Sequence, residues 1–239
     1  MSLQSLIEQL RDFDSALLAN TIGYIDPTPA HEFYMAGSIQ SVTTGLGPTV
    51  GVAVTCEIDT STPGAASEWE PFYESLEKME AIAEPVVWVV KTVGARPEHE
   101  CVLGDGMAKM LFAAGCVGVV TDGGVRDVAG MKAIPFAAYA RGTTIHHCAI
   151  RVRNVNEPVE VGGIVVRPGD VIHGSSEGVI KIPAGCLAEL PQRAVKMRAF
   201  EHAAHIELRR TDLKIAEKRR RVGKLLVEYG FALPEQVAL

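Results

Sequence analysis

The sequence predicts an α/β protein organised around a βαβ unit, and three stretches carry that prediction. Residues 85–90, Pro-Val-Val-Trp-Val-Val, form a continuous apolar run, the pattern of a strand buried on both faces. Residues 107–114 show a helical pattern between Gly104-Asp105-Gly106 and Gly115, which stands where a C-cap glycine belongs. Residues 116–120 are a second short apolar strand, running into Thr121-Asp122-Gly123-Gly124. Two buried strands joined through a helix imply a right-handed parallel crossover.

The other elements follow in order. Leu3, Leu6, Ile7, Leu10, Phe13, Leu17 and Leu18 recur at helical spacing and predict one amphipathic helix ending near Asn20. Residues 24–34, with Pro27 and Pro29, read as loop. Residues 37–43 and 50–58 predict two strands around the turn Gly45-Leu46-Gly47-Pro48. That turn is no phosphate loop: Pro48 lacks a backbone donor, and neither a Lys-Ser/Thr pair nor a GxGxxG follows. Residues 59–66 read as loop, and residues 67–83 as an acidic helix with Trp69, Phe72, Leu76 and Met79 among solvated glutamates.

Beyond the central unit, residues 133–139 predict a strand interrupted by Pro135. Residues 151–155, 159–166 and 171–182 predict a β-rich meander divided at Gly162-Gly163, Pro168-Gly169-Asp170 and Glu177-Gly178. From Pro191 the pattern is helical to about Tyr229, longer than an ordinary globular helix. The expected organisation is therefore an α/β domain over residues 1–190 and a helical arm over 191–239 that packs against a neighbouring subunit.

Composition narrows the function classes. With 239 residues, 47% apolar and 22% charged, the chain can bury a full core. A net charge of −6 argues against a general nucleic-acid binder, which needs a basic contact face. The five cysteines, Cys56, Cys101, Cys116, Cys148 and Cys186, include no CxxC pair, so neither a disulfide framework nor a zinc ribbon is indicated. The absence of an apolar run of roughly 18 residues and of a basic-then-apolar start gives the expectation of a cytoplasmic protein with no membrane span.

Ionisable residues gather at both ends of the central unit. Arg126 offers a planar fork for a substrate carboxylate, and Asp127 a hard oxygen ligand for Mg²⁺ or Mn²⁺. Asp105 stands at a helix start whose Gly106 and Met107 amides suit a second anionic group. On the βαβ topology, Asp105 and Arg126 lie in loops at the same sheet edge, where ligands of open α/β folds bind. The residues alone equally allow an N-capping Asp105 and a surface Arg126-Asp127 ion pair.

Asp105, twenty residues, Arg126-Asp127, two residues and Gly130 resemble the signature of the class II 4-hydroxy-4-methyl-2-oxoglutarate aldolases and their relatives, the regulators of ribonuclease activity A. Val161-Gly162-Gly163, residues 166–170 (Val-Arg-Pro-Gly-Asp) and residues 178–183 (Gly-Val-Ile-Lys-Ile-Pro) are similar to the family's later blocks. The resemblance implies a swivelling β/β/α-like core assembled as a homotrimer or hexamer, and a metal-dependent lyase acting on a small oxo-acid. It assigns the metal to Asp127, largely through waters, and the pyruvoyl group to Arg126. Asp105 would orient Arg126 and a water, with the Gly106 and Met107 amides on the substrate carboxylate.

A metal chelated by the C1 carboxylate and C2 keto oxygens would let C3–C4 cleavage leave a pyruvate enolate, the same enolate that oxaloacetate gives on losing CO₂. Proton removal from the C4 hydroxyl falls to a water on Asp105 or to an arm carboxylate of the adjoining subunit, Glu201 first and Glu207 second. The chain departs from the family at His173 with Ser175-Ser176-Glu177, and in the insertion-like residues 59–70, positions expected to shape the distal pocket. His146 and His147 read as polar residues at a strand edge; the surrounding pattern is too imperfect for a phosphohistidine motif. The alternative is a non-enzymatic regulator of RNA processing that binds a protein partner, and the long arm favours the enzyme.

Overall fold

A computed structural model describes residues 1–64, 66–147 and 149–231, so Cys148 and arm residues 232–239 lie outside the described residues. The chain opens with α1 (Leu3–Leu10) and α2 (Ser15–Ile25), then β1 (Gln40–Ser41) and β2 (Thr49–Asp59). Next come α3 (Glu70–Glu80), β3 (Val86–Thr92), β4 (Cys101–Leu103), α4 (Asp105–Ala113), β5 (Cys116–Thr121), β6 (Gly124–Val125) and α5 (Val128–Ala133). Strands β7 (Ala137–Ala140), β8 (Gly142–Thr143), β9 (Arg151–Arg153), β10 (Val159–Val161), β11 (Ile164–Val166), β12 (Val171–Ser175) and β13 (Gly178–Ile182) lead to α6 (Leu190–Arg209) and α7 (Ile215–Tyr229).

The main sheet has the order β1-β7-β5-β3-β2-β12-β13, with β9 added along β2. Strands β2, β3, β5 and β7 are mutually parallel. Each of the last three hands the chain to a short strand, β4, β6 and β8, and these form a second, parallel sheet in the order β4-β6-β8. A long strand, a short strand and a helix (β3-β4-α4, then β5-β6-α5) thus make the repeating β/β/α unit. The short sheet carries the loops that hold Asp105 and Arg126.

The continuous apolar run at β3 is explained by its two covered faces. Val86, Trp88 and Val90 enter a core with Phe72 and Met79 of α3 and Leu111 of α4. The alternate residues Val87 and Val89 enter another with Val159, Val161 and Val166 of the β10–β11 hairpin. With period-two side chains, burial on both faces requires every position to be apolar.

Several elements differ from the sequence expectation. The opening helix is two helices: the Asp14 carboxylate accepts a hydrogen bond from the Leu17 amide at 2.7 Å and starts α2 afresh. Of residues 37–43 only Gln40 and Ser41 pair as strand. Residue 133 ends a helix, and the strand begins at Ala137. The helical C-terminus breaks at residues 210–214, where Arg210 turns back on Asp212 through two bonds of 3.0 and 2.6 Å. Helix α6 lays Leu190, Ala194 and Met197 against Ile7, Leu10, Leu18 and Ile22, a third core on the outer side of β12 and β13. Phe231, just past the left-handed Gly230, returns to that core, whereas α7 itself has no buried side chain.

His173 ties this helical layer to β12. It is fully buried, with Nδ1 3.0 Å from Ser15 Oγ and Nε2 facing the Leu10 and Phe13 carbonyls at 3.3 and 3.1 Å. Burial lowers its pKa from 6.5 to about 4, outweighing the carbonyls and Asp14, which favour the charged ring. Between these two values the unfolded chain binds the extra proton, so stability falls as pH falls through the window. We expect the unfolding free energy from urea titrations to drop between pH 6.5 and 4 by on the order of 3 kcal/mol, and the drop to shrink in His173→Gln.

Candidate active site

The site is built from two loops of the short sheet, stitched by the Arg126 amide donating to the Leu103 carbonyl at 3.0 Å. The first loop ends β4 at Gly104 and starts α4 with Asp105. The second ends β6 and passes through Arg126 to Asp127, the N-cap of α5. Asp127 adopts a left-handed backbone, φ 59° and ψ 40°. Asp tolerates that region better than most side chains, and its carbonyl there accepts from the Gly130 and Met131 amides.

The loops pack reciprocally. A Cβ on Gly104 would lie 2.6 Å from Asp127 Oδ2 and 3.0 Å from Arg126 Nε. A Cβ on Gly130 would lie 2.6 Å from both Cβ and Oδ2 of Asp105. The glycines are therefore seats for the other loop's side chains, which is why Gly130 belongs to the spaced signature.

Arg126 Nε stands 3.4 Å from Asp127 Oδ2. Asp105 makes its short contact with Lys109, at 2.6 Å, rather than with Arg126. That bond and the Lys109 charge hold the Asp105 carboxyl below the usual carboxylate range, helped by the Gly106 amide and the Arg126 charge. The Gly106 amide is thus turned partly toward Asp105. Lys109 was missed in the sequence reading although the i, i+4 spacing of opposite charges on a helix is a legible signal.

A cavity of about 380 Å³ opens against these loops, with Gly104, Gly106, Met107 and Arg126 on its wall. Trp69, Tyr73 and Met110 contribute apolar surface to it, and His146 and His147 also line it. The two histidines are exposed residues of an irregular segment after β8, not polar residues at a strand edge. Trp69 and Tyr73 come from the start of α3, whose acidic composition hid them as a wall.

The structure brings together Asp105, Gly106, Met107, Arg126 and Asp127 and leaves Glu201 and Glu207 elsewhere in the same protomer. Glu201, on α6, accepts a hydrogen bond from Asn20 at 3.0 Å. Glu207 is engaged by Arg221 at 3.2 Å and Arg210 at 3.7 Å.

Among the described residues no group of three His, Cys, Asp or Glu side chains converges as a ligand cluster. Asp127 is 47% exposed and meets Arg126 through Oδ2 alone. A single half-exposed carboxylate fits a Mg²⁺ that keeps most of its waters and takes further oxygens from substrate, and does not fit a closed protein cage.

The glycines give a direct test of this packing. Gly104→Ala is expected to push Arg126 and Asp127 aside while leaving the fold intact, because the displaced atoms are side-chain ends. A Cβ on Gly106 meets nothing within 4 Å. Gly106→Ala should therefore stabilise the protein by roughly 0.5 kcal/mol in urea denaturation, as Ala replaces Gly in a helix.

A "Putative 4-hydroxy-4-methyl-2-oxoglutarate aldolase" of Halalkalibacterium halodurans is 41% identical over 99 residues, which is 41% of this chain and 46% of that protein. The chain matches the curated relatives over about half of their length. An uncharacterized protein from Pseudomonas syringae pv. tomato superposes with a TM-score of 0.69 at 21% identity, covering 92% of this chain and 95% of that one. Streptomyces coelicolor RraAS2, described as an unusual member of the RNase ES inhibitor RraA protein family, superposes at 0.66 with 21% identity, covering 84% and 96%. These likenesses establish the fold. Residues 26–181, more than half of the chain, match the family described as RraA-like, Aldolase/RraA, and the protein belongs to that family.

Proposed function

We propose that the protein is a divalent-metal-dependent carbon–carbon lyase that cleaves a 4-hydroxy-2-oxo acid to pyruvate, with oxaloacetate decarboxylation at the same site. The substrate class is the 4-hydroxy-4-methyl-2-oxoglutarate or 4-carboxy-4-hydroxy-2-oxoadipate type, and the first of these stands in the name of the 41%-identical relative. The observation that supports the reading is the convergence of Arg126 and the start of α4 on one cavity.

In this reading the Met107 amide and the positive end of α4 hold the substrate carboxylate. Arg126 donates to the C2 oxygen and stabilises the negative charge that gathers there as the C3–C4 bond breaks. Asp127 steadies Arg126 through Nε and would hold Mg²⁺ or Mn²⁺. The ion, when bound, supplies Lewis-acid polarisation of the substrate oxygens. Asp105, kept ionised by Lys109, is a weak base and is suited to orienting a water.

Removal of the C4 hydroxyl proton is then assigned to an arm carboxylate of an adjoining subunit in a homotrimer or hexamer. Glu201 is the better candidate, since it bonds a neutral Asn20 and has no ion-pair partner among the described residues, while Glu207 faces two arginines.

The test is pyruvate release, coupled to lactate dehydrogenase, from oxaloacetate and from 4-carboxy-4-hydroxy-2-oxoadipate, with Mg²⁺ or with EDTA. We expect metal-dependent release, lost by about 100-fold or more in Arg126→Ala and in Asp127→Ala with unchanged circular dichroism. Gly104→Ala should lose about 100-fold through misplacement alone. Release no faster than the metal-only control from either compound would overturn the lyase reading and leave the protein-binding alternative.

A further inference from the structure

A second cavity, about 390 Å³, lies beside the first, and His146 and His147 line both. Its remaining wall includes Arg96, His99, Thr144 and Ser61. The two hollows therefore meet across the His146-His147 pair. Arg126 lines one side of that shared wall and Arg96 the other.

The loop that presents Arg96 is built, not draped. The Arg96 amide donates to Ser61 Oγ at 2.8 Å, and the Ala95 amide to Thr62 Oγ1 at 3.1 Å. Ser61 Oγ in turn donates to Glu100 Oε1 at 2.6 Å, and Glu100 Oε2 accepts from the Thr60 amide at 2.7 Å and from its hydroxyl at 2.5 Å. Beneath them Asp59 Oδ1 accepts from the Ser61 and Thr62 amides, and Oδ2 pairs with buried Arg151 at 2.7 Å. Every acid beneath Arg96 is thus committed to another donor. The Arg96 guanidinium itself has no hydrogen-bond or ion-pair partner among the described residues.

We propose that Arg96, with His99 and the His146-His147 pair, forms a second anion subsite that selects oxo-acids carrying a second carboxylate over monoanionic ones. The inference rests on the oxo-acid reading of the Arg126 cavity and assigns the residues that read the far end of the substrate. An unpaired guanidinium on a pinned backbone is a planar, permanently charged fork, and a carboxylate is its geometric complement. The imidazoles and the Thr144 hydroxyl add hydrogen-bonding capacity around it. The residues that fix this loop, 59–62, lie in the stretch 59–70 that reads as insertion-like in the sequence.

Isothermal titration in Mg²⁺ buffer tests the subsite without requiring turnover. The probes are 2-oxoglutarate and 2-oxopentanoate, which share a five-carbon 2-oxo-acid chain and differ in a terminal carboxylate or methyl. The unaltered protein is expected to prefer 2-oxoglutarate by about tenfold or more, as a charge-assisted hydrogen bond gives. Arg96→Gln should erase the preference and leave 2-oxopentanoate binding unchanged, and Arg96→Lys should restore part of it. Arg126→Ala should weaken both ligands. A preference that survives Arg96→Gln, or that is absent from the unaltered protein, overturns the subsite alone. Failure of both probes to bind overturns the subsite and the oxo-acid reading together.

Discussion

The site rests on mutual exclusion between two loops. Asp127 and Arg126 occupy the space a side chain at residue 104 would fill, and Asp105 occupies the space a side chain at residue 130 would fill. Neither loop can hold its acid in place without the other's glycine. The short β4-β6-β8 sheet sets this register through the Arg126 to Leu103 backbone bond, and the long parallel strands set the position of the short ones. Fold and site are linked by that chain of dependence, from the two-sided burial of β3 outward to the carboxylates.

Much of this was legible in the sequence because it depends on local pattern. The apolar run at β3, the C-cap at Gly115 (φ +89°) and the glycine-flanked acids follow from periodicity and backbone sterics. What stayed hidden depends on long-range geometry or on competition between close alternatives. The apolar residues from Leu3 to Leu18 keep helical spacing across a real break, since Asp14 can serve as an interior residue or as a cap and only tertiary packing decides. The walls supplied by Trp69, Tyr73, His146 and His147 come from segments distant in the chain, and no local signal places them in one cavity with Arg126. The arm carried no marker for its turn at 210–214, because Arg210 and Asp212 are as common on a solvated helix as in a bend.

Buried polar contacts join layers that apolar packing alone would leave free to slide. His173 locks β12 to the turn between α1 and α2 through three contacts. The Asp59–Arg151 pair joins the end of β2 to β9, with both side chains nearly inaccessible. In its pocket burial acts to raise the Asp59 pKa, but Arg151 and the Ser61 and Thr62 donors outweigh it and bring the value down to about 2. Such pairs add little net stability over a well-packed apolar pair, yet breaking one partner leaves a costly charge. Their effect here is to fix angle and register between the elements they join.

The reciprocal glycine seats also divide the molecule into parts with different freedom to change. The loops at 104–105 and 126–130 constrain each other atom by atom, so neither tolerates lengthening or a bulkier residue without moving the other. The tie between residues 59–62 and 94–100 closes on itself through Ser61, Thr62 and Glu100 and makes no demand on those seats. Length and side chains can therefore be exchanged around Arg96 while the packing at Arg126 stays fixed. One scaffold can in this way keep one side of its paired cavities constant and leave the other replaceable.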